Sequence, residues 1–201
     1  MCEAPEGFHV PSGHMHFGST HGTTCLAQSN DGDFSTALAT TADYADATIS
    51  SRVLSADSTR RDYGLLLRVQ EFDHDFRSSP QDGYRCLVMT GDANSKLRFQ
   101  ELVDGHATTI AESAPFSLHP ETWYKIAGEA HGSYVGCSIE TMPTVTSPPQ
   151  ILGAAEGYSS LFSSGSFATW NYLDDEGAHF WNKVAVQEIA PPAARRLRGA
   201  R

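Results

Sequence analysis

The sequence has no apolar run near the roughly 20 residues that a membrane-spanning helix requires, so membrane insertion is not expected. It has no CxxC pair, the spacing typical of zinc knuckles and thioredoxin-like redox sites. A G-x-S-x-G nucleophile motif and a glycine-rich phosphate loop are also absent. The sequence therefore gives no support for a CxxC zinc or redox site, for a serine hydrolase of the G-x-S-x-G type or for a nucleotide-binding loop. No motif identifies a catalytic residue.

Charge is scarce and unevenly distributed. Charged residues make up 19% of the 201 residues, and the formal net charge is −10. Residues 191–201 hold four of the fourteen basic residues and no acidic one, so residues 1–190 carry ten bases against twenty-four acids, a net charge of −14. Such an acidic body disfavours nucleic acid as a partner. We expect a single domain over residues 1–190, followed by a basic, disordered tail.

The N-terminus and the cysteines leave the compartment open. The first residues have neither the basic nor the apolar region of a signal peptide, so the chain is either cytosolic or a piece of a longer secreted protein. The four cysteines permit three complete pairings, and the sequence does not choose among them. Cys86 and Cys137 fall in strand-like runs and are interpreted as buried apolar groups. Cys2 and Cys25 lie in loop-like sequence, where a bridge would anchor the N-terminus.

Apolar and polar residues alternate with a period of two along most of the chain, with breaks at Gly, Pro, Asp and Asn. This pattern is typical of short strands joined by turns. The strands are predicted at 47–53, 63–70, 83–89, 96–102, 107–111, 120–126, 134–139, 165–172 and 178–189. Residues 142–153, rich in Pro, Thr and Ser, are predicted to be a connection. Strands without intervening helices predict an all-β fold, a two-sheet antiparallel β-sandwich.

The order of these segments resembles the concanavalin A-like lectin and glucanase superfamily, specifically its laminin G-like and glucanase-like jelly rolls. The segments that match the family pattern are Ala47–Val53, Gly64–Arg68, Gly83–Val88, Lys96–Gly105, Trp123–Ile126, Gly165–Trp170 and Ala178–Val186. The resemblance covers residues 7–189. It implies a jelly roll that acts as a non-catalytic carbohydrate-binding or interaction module, part of a larger extracellular or cell-surface protein.

The last strand departs from the family pattern, which bears on calcium. This chain has Phe180-Trp181-Asn182 where relatives often have Phe-Asp-Asn, and an Asp near that strand ligates a structural calcium in some of them. Asp31 and Asp33 are the remaining candidates to hold Ca²⁺ through carboxylate oxygens. The alternative is that they belong to an Asx-rich turn.

A ladder of basic residues is the first candidate binding site. Alternation places Arg52, Arg68, Arg85 and Arg98 on the side of their strands opposite the predicted core residues, together with Gln70. If those strands are neighbours, four guanidiniums line one groove. The planar fork of arginine donors matches carboxylates and sulfates, which favours an anionic glycan. The alternative is that these arginines pair with neighbouring acids as solvated cross-strand contacts.

Aromatic residues supply a second candidate. Trp170 and Tyr172 share one side of their predicted strand, and sugars bind proteins by placing their C–H face on such rings. Aromatic residues in strands are more often part of the core, and that alternative stays open.

An enzyme and an assembly subunit are the alternative functions. Glu71-Phe-Asp-His-Asp75 loosely resembles the glucanase signature E-x-D-x-x-E, but the final Glu is missing and the segment runs into a loop. A polysaccharide lyase would need a base beside a cation, and Tyr172 with Arg68 would supply that pair. A structural subunit would use the sandwich edges and the basic tail. The fold alone does not separate these functions.

Overall fold

The computed structural model describes residues 6–12, 15–18, 26–29, 36–55, 62–71, 82–90, 94–171 and 179–190. This part of the chain contains fourteen strands and no helix, and hence no helical segment capable of crossing a membrane. The strands are β1 (Phe8–Ser12), β2 (Met15–Gly18), β3 (Leu26–Ser29), β4 (Thr36–Thr40), β5 (Ala47–Ser55), β6 (Tyr63–Val69), β7 (Gly83–Met89), β8 (Lys96–Val103), β9 (His106–Glu112), β10 (Trp123–His131), β11 (Tyr134–Thr141), β12 (Ile151–Tyr158), β13 (Ser166–Asn171) and β14 (His179–Glu188).

The strands pair into two seven-stranded sheets. The order in the first sheet is β1-β4-β13-β6-β7-β8-β9, and the order in the second sheet is β12-β11-β10-β5-β14-β3-β2. Neighbouring strands run antiparallel, which confirms the predicted two-sheet antiparallel β-sandwich. Nine strands lie where alternation predicts them. The strands β1 to β4 lie outside the predicted segments, and β12 begins at Ile151, inside the predicted connection.

The main core lies between the two sheets and is built by the predicted alternation. Side chains on the inner face of each sheet are almost fully buried, among them Leu65, Phe99, Ile49, Val53 and Ile126. Burying a side chain of this size contributes about 1.5–3 kcal/mol relative to leaving it in water. Alternation places Ala47, Ile49 and Val53 of β5 on one side of their strand, and Leu65 and Leu67 on one side of β6. All five side chains face this core.

A disulfide joins the two sheets through this core. Cys86 of β7 and Cys137 of β11 are bonded, with their Cα atoms 6.1 Å apart. Both residues are buried, as interpreted from the sequence, and the structure supplies the pairing that the sequence left open: the inward alternation of both strands places the two side chains face to face. The predicted bridge between Cys2 and Cys25 lies outside the described residues.

A second, smaller apolar cluster covers part of the outer face of the first sheet. Its members are Ala39, Leu66, Val69, Leu87, Ala168 and Trp170, with Met89 packed against them. Leu66 and Leu87 alternate with inward-facing neighbours, so their strands bury both faces. Arg85 of β7 and Arg98 of β8 lie on the same outer face, next to this cluster.

Candidate functional site

Two of the four predicted arginines lie together on the outer face of the first sheet. In the pairing of β7 with β8, Arg85 lies opposite Gln100 and Leu87 lies opposite Arg98. Arg85 and Arg98 are therefore diagonal neighbours, a position in which side chains about 7–8 Å apart at the backbone can reach a common ligand. We call the surface formed by Arg85, Arg98, Gln100 and Trp170 the arginine face.

Arg85 is held in place on two sides. Its Nε and Nη2 both donate to Oε1 of Gln100, at 3.1 and 2.8 Å. Its guanidinium lies over the ring of Trp170, 5.1 Å from the centroid, in a cation–π arrangement. Burial lowers the pKa of Arg85, the charge of Asp62 raises it, and the charge of Arg98 lowers it again. The guanidinium is thus a partly desolvated cation with a second cation beside it.

Arg98 is anchored to the edge strand of the sheet. Its Nε and Nη2 donate to Oε2 of Glu112 at 3.0 and 2.7 Å, and Lys96 donates to the other carboxylate oxygen. Hydrogen bonds from Lys96 and then from Arg98 hold the pKa of Glu112 below its ordinary value. Within the described residues, the Nη1 groups of Arg85 and Arg98 make no hydrogen bond. The arginine face therefore keeps donors available for an anion.

Trp170 supports the arginine face from below. Its side chain is only 6% exposed, and one face of its ring is covered by Arg85. Because so little of the ring is exposed, it is better placed to hold the guanidinium of Arg85 than to stack against a sugar. Direct stacking of a sugar on Trp170 stays a prediction, and the contact that the structure shows for its ring is with the guanidinium of Arg85.

Arg68 lies in the interior and not on the arginine face, contrary to prediction. The side chain is 1% exposed. Its Nε donates to the carbonyl of Ala45 at 2.8 Å, and Nη1 donates to the carbonyls of Gly132 and Phe162 at 2.8 and 2.9 Å. Nη2 bonds the carboxylate of Asp46 at 3.1 Å. Arg68 thus ties together loops at one end of the sandwich, and its guanidinium is buried away from solvent.

A β-bulge explains why alternation fails at Arg68. In the pairing of β13 with β6, the three residues from Ser166 to Ala168 lie opposite the four residues from Leu66 to Val69. The extra residue reverses the direction of the following side chains. Arg68 takes a φ of 50°, and a Cβ on Gly165 would lie 2.5 Å from its carbonyl carbon, so only glycine fits there.

The bulge also moves the two residues that follow Arg68 away from their predicted places. Unbroken alternation from Leu65 and Leu67 would turn Val69 toward the main core, but Val69 joins the outer cluster instead. Gln70 donates through Nε2 to the carbonyls of Arg68 and Ser164, at 2.9 and 2.7 Å, and so braces the bulge.

The remaining predicted site residues are scattered. Arg52 belongs to β5 of the second sheet, where it lies opposite Lys125 and Asn182, so the four-arginine groove is wrong. Tyr172, Asp31 and Asp33 lie outside the described residues, and the ligand role of Tyr172 and the calcium site stay predictions. In the part of the chain that is described, no group of three or more His, Cys, Asp or Glu residues is placed to hold a metal ion.

The acidic segment that resembles a glucanase signature is described only at its first residue. Glu71 is exposed and follows the end of β6, whereas the rest of the predicted segment up to Asp75 lies outside the described residues. The second enzyme hypothesis, a lyase that uses Tyr172 and Arg68, loses support for a different reason. Four hydrogen bonds already occupy the guanidinium of Arg68, which leaves it unable to neutralise a substrate carboxylate.

The outer face of the second sheet holds a groove of about 270 Å³ that sequence reasoning missed. Gly136 of β11 lies opposite Glu129 of β10 on one side and Glu156 of β12 on the other. Tyr134 stands at one end and donates its hydroxyl to Glu156 at 2.9 Å. We call this surface the acidic groove. Its signal in the sequence is weak, because it consists of small residues at outward positions of three strands that are paired only in the fold.

The phenol of Tyr134 gives a pH-dependent readout of this groove. Burial, then the hydrogen bond to Glu156, then the charges of Glu156 and Glu129 raise the pKa of Tyr134 from 10.0 to about 12. Because the pKa of Tyr134 is higher in the folded than in the unfolded protein, this contribution to stability is fully present below about pH 10 and is lost as the pH rises through about 12.

We expect Glu156→Gln to lower the pKa of Tyr134. Ultraviolet titration of tyrosinate measures this pKa, and the variant Tyr134→Phe identifies which part of the signal belongs to Tyr134. An unchanged midpoint in Glu156→Gln contradicts the assigned hydrogen bond.

Solved structures match this fold, although no protein-family model and no curated protein sequence matches the chain. The carbohydrate-binding module CBM66 from Bacillus subtilis is 18% identical, with a TM-score of 0.61, over 90% of this chain and 96% of that one. The exoplasmic/lumenal domain of VIP36 in a Ca²⁺- and Man3GlcNAc-bound form is 5% identical, with a TM-score of 0.65, over 95% and 90%. The alginate lyase from Klebsiella pneumoniae is 8% identical, with a TM-score of 0.55, over 87% and 84%. At these identities the similarity shows the fold alone.

Proposed function

Because the chain has the concanavalin A-like jelly-roll fold, we propose that it is a carbohydrate-binding module whose ligand is an anionic glycan held on the arginine face. The observation that carries the proposal is the diagonal pair Arg85 and Arg98, each with an Nη1 group free of described partners. Two guanidinium edges at this spacing suit a carboxylate or a sulfate, which accepts paired N–H donors.

The local charge favours an anion although the whole chain is acidic. Arg85, Arg98 and Lys96 stand against Glu112 and the nearby Asp62, an excess of one positive charge in a protein of formal charge −10. Charges on a partly desolvated surface act more strongly than charges in open water. The remaining acidic surface repels anions, so binding is directed to this face.

A sugar polymer is the anion that suits the surroundings best. Gln100 and Thr109 stand beside Arg85 and are linked to each other by a 3.4 Å hydrogen bond, and such groups also bond sugar hydroxyls. The half-buried Met89 adds an apolar contact at the side. Among solved structures with this fold, one is a carbohydrate-binding module and another holds Man3GlcNAc. A binding module is favoured over a lyase, since the cation of the proposed lyase pair, Arg68, is buried and hydrogen-bonded inside the fold.

The disulfide between the sheets supports an extracellular or cell-surface location for this module. Disulfides persist in oxidising compartments and are uncommon in reducing ones. The bond between Cys86 and Cys137 is buried in the main core, so it is structural. We therefore propose a secreted or cell-surface location for the module.

Loss of either guanidinium is expected to weaken glycan binding about ten-fold, because each makes charge-assisted hydrogen bonds to the ligand. The variants are Arg85→Gln and Arg98→Gln, and Arg52→Gln on the other sheet is the matched control. Calorimetric titration uses two pairs of probes, oligogalacturonate with its methyl ester and a sulfated galactan oligosaccharide with its desulfated form. Which charged probe binds more tightly identifies the anion as carboxylate or sulfate. Equal affinity for the charged and neutral members, or an equal loss in Arg52→Gln, contradicts the proposal.

A further inference from the structure

The acidic groove runs across the strands of the second sheet on a floor of small side chains. Ser138 of β11 lies opposite Ala127 on one neighbouring strand and Ala154 on the other. In the adjoining row Gly136 separates Glu129 from Glu156. Two strand spacings therefore separate the two glutamates, about 9.6 Å at the backbone. The floor is low because these residues have little or no side chain, and the groove is open to a ligand from outside.

Neither carboxylate in the groove forms an ion pair with a cation of the described residues. In the described part of the chain no lysine, arginine or histidine forms a salt bridge with Glu129 or Glu156. Within the residues that the structure describes, Glu156 accepts one hydrogen bond, from Tyr134, and Glu129 accepts none. Elsewhere on the same sheet Lys125 does pair with Glu140, at 2.7 Å, so the two groove carboxylates differ from that neighbouring one. Two carboxylates in this state attract a ligand that carries positive charge.

Aromatic rings close one end of the groove. Tyr134 packs edge-to-face with Tyr158, with ring centroids 6.0 Å apart, and Tyr158 is 78% exposed. A Cβ on Gly136 would lie 3.0 Å from the hydroxyl oxygen of Tyr134 and 3.1 Å from Cβ of Glu156. The tyrosine thus leans over the glycine, and its exposed neighbour offers a flat apolar surface. Such rings hold the C–H face of a sugar.

We infer that the acidic groove is a second carbohydrate site, one that takes a sugar bearing a free ammonium group. The uncompensated carboxylates supply acceptors for the ammonium and for hydroxyls, and Tyr158 supplies the stacking surface. A basic peptide is the less suitable occupant, because extended peptides bind sheets by hydrogen bonding to a free strand edge. The groove lies on a sheet face, where the backbones of β10 and β11 are already paired on both sides.

The inference goes beyond the arginine face and does not depend on it. The two surfaces lie on opposite outer faces of the sandwich and carry opposite charge. An oligomer of β-linked glucosamine serves as the probe, and its N-acetylated form, which lacks the charge, is the matched control ligand. Titrations are made at about pH 6, below the usual pKa of an amine.

Glu129→Gln and Glu156→Gln are each expected to lower the affinity for the glucosamine oligomer about ten-fold, since each removes a charged acceptor. Glu188→Gln, an exposed carboxylate on β14 outside the groove, is expected to leave affinity unchanged. Gly136→Ala is expected to weaken binding as well, because the added methyl group fills the floor beneath Tyr134. Arg85→Gln is expected to have no effect on this ligand, which separates failure of this inference from failure of the anionic site.

Three results would overturn the inference. One is equal affinity for the acetylated and the free-amine oligomers. Another is unchanged binding of the free-amine oligomer in the double variant Glu129→Gln with Glu156→Gln. The third is tighter binding of a peptide with the sequence of residues 191–201, lost in the same double variant, which would make a basic segment the occupant.

Discussion

Replacement of Arg68 by methionine is expected to lower the free energy of unfolding by about 3–5 kcal/mol, the range for breaking a buried ionic network. The guanidinium is 1% exposed and donates to three carbonyls and to the carboxylate of Asp46. Methionine has a similar length but no donor, so it leaves these acceptors without partners. Urea unfolding followed by circular dichroism measures the loss.

Comparison of Arg68→Met with a control variant separates a structural role of Arg68 from a binding role. The control is Arg52→Met, on the outer face of the second sheet, which is expected to change the free energy of unfolding by less than about 0.5 kcal/mol. At low temperature, where Arg68→Met remains folded, its affinity for oligogalacturonate is expected to equal that of the wild type. An unfolding midpoint equal to that of the wild type would show that Arg68 is not an essential tie between the loops.

Removal of the disulfide between the sheets is expected to have a comparable effect. Cys86 and Cys137 are 51 residues apart in sequence, and in the chain-entropy model closing a loop of that length contributes about 4 kcal/mol. The double variant Cys86→Ala with Cys137→Ala tests this by urea unfolding, and reduction of the wild type in urea provides a second measurement. The double variant also leaves any bond between Cys2 and Cys25 untouched, so the loss belongs to the core pair.

Peptide mapping checks the pairing independently of stability. Digestion without reductant is expected to yield one peptide pair that joins the segments containing Cys86 and Cys137. Recovery of either segment with a free thiol, or bonded to Cys2 or Cys25, contradicts the pairing. A double variant as stable as the wild type would contradict the entropic argument.

The strands of the core could be predicted from the sequence because alternation is a local property. Ile49, Val53 and Leu65 face the core as the period of two requires. The N-terminal strands were beyond this approach, since β2 and β3 span only four residues each. Segments so short give too few alternations to establish a period.

The site was only half predictable, for two physical reasons. Alternation assigns a side to each residue within one strand but does not say which sheet the strand joins, which is why Arg52 was grouped with Arg85 and Arg98. It also assumes an unbroken register, and the bulge at Arg68 violates that assumption through a pairing with β13, a strand about a hundred positions away in the chain. The acidic groove was missed because its residues come together only when three strands are in register.

The most direct test of an anionic glycan on the arginine face is nuclear magnetic resonance of the arginine Nε–Hε groups during titration with oligogalacturonate. The resonances of Arg85 and Arg98 are predicted to shift and saturate together, whereas that of Arg68, bonded to the carbonyl of Ala45, stays fixed as an internal reference. The methyl ester is predicted to leave all three unchanged. Saturable binding that moves other resonances while those of Arg85 and Arg98 remain still would contradict the account.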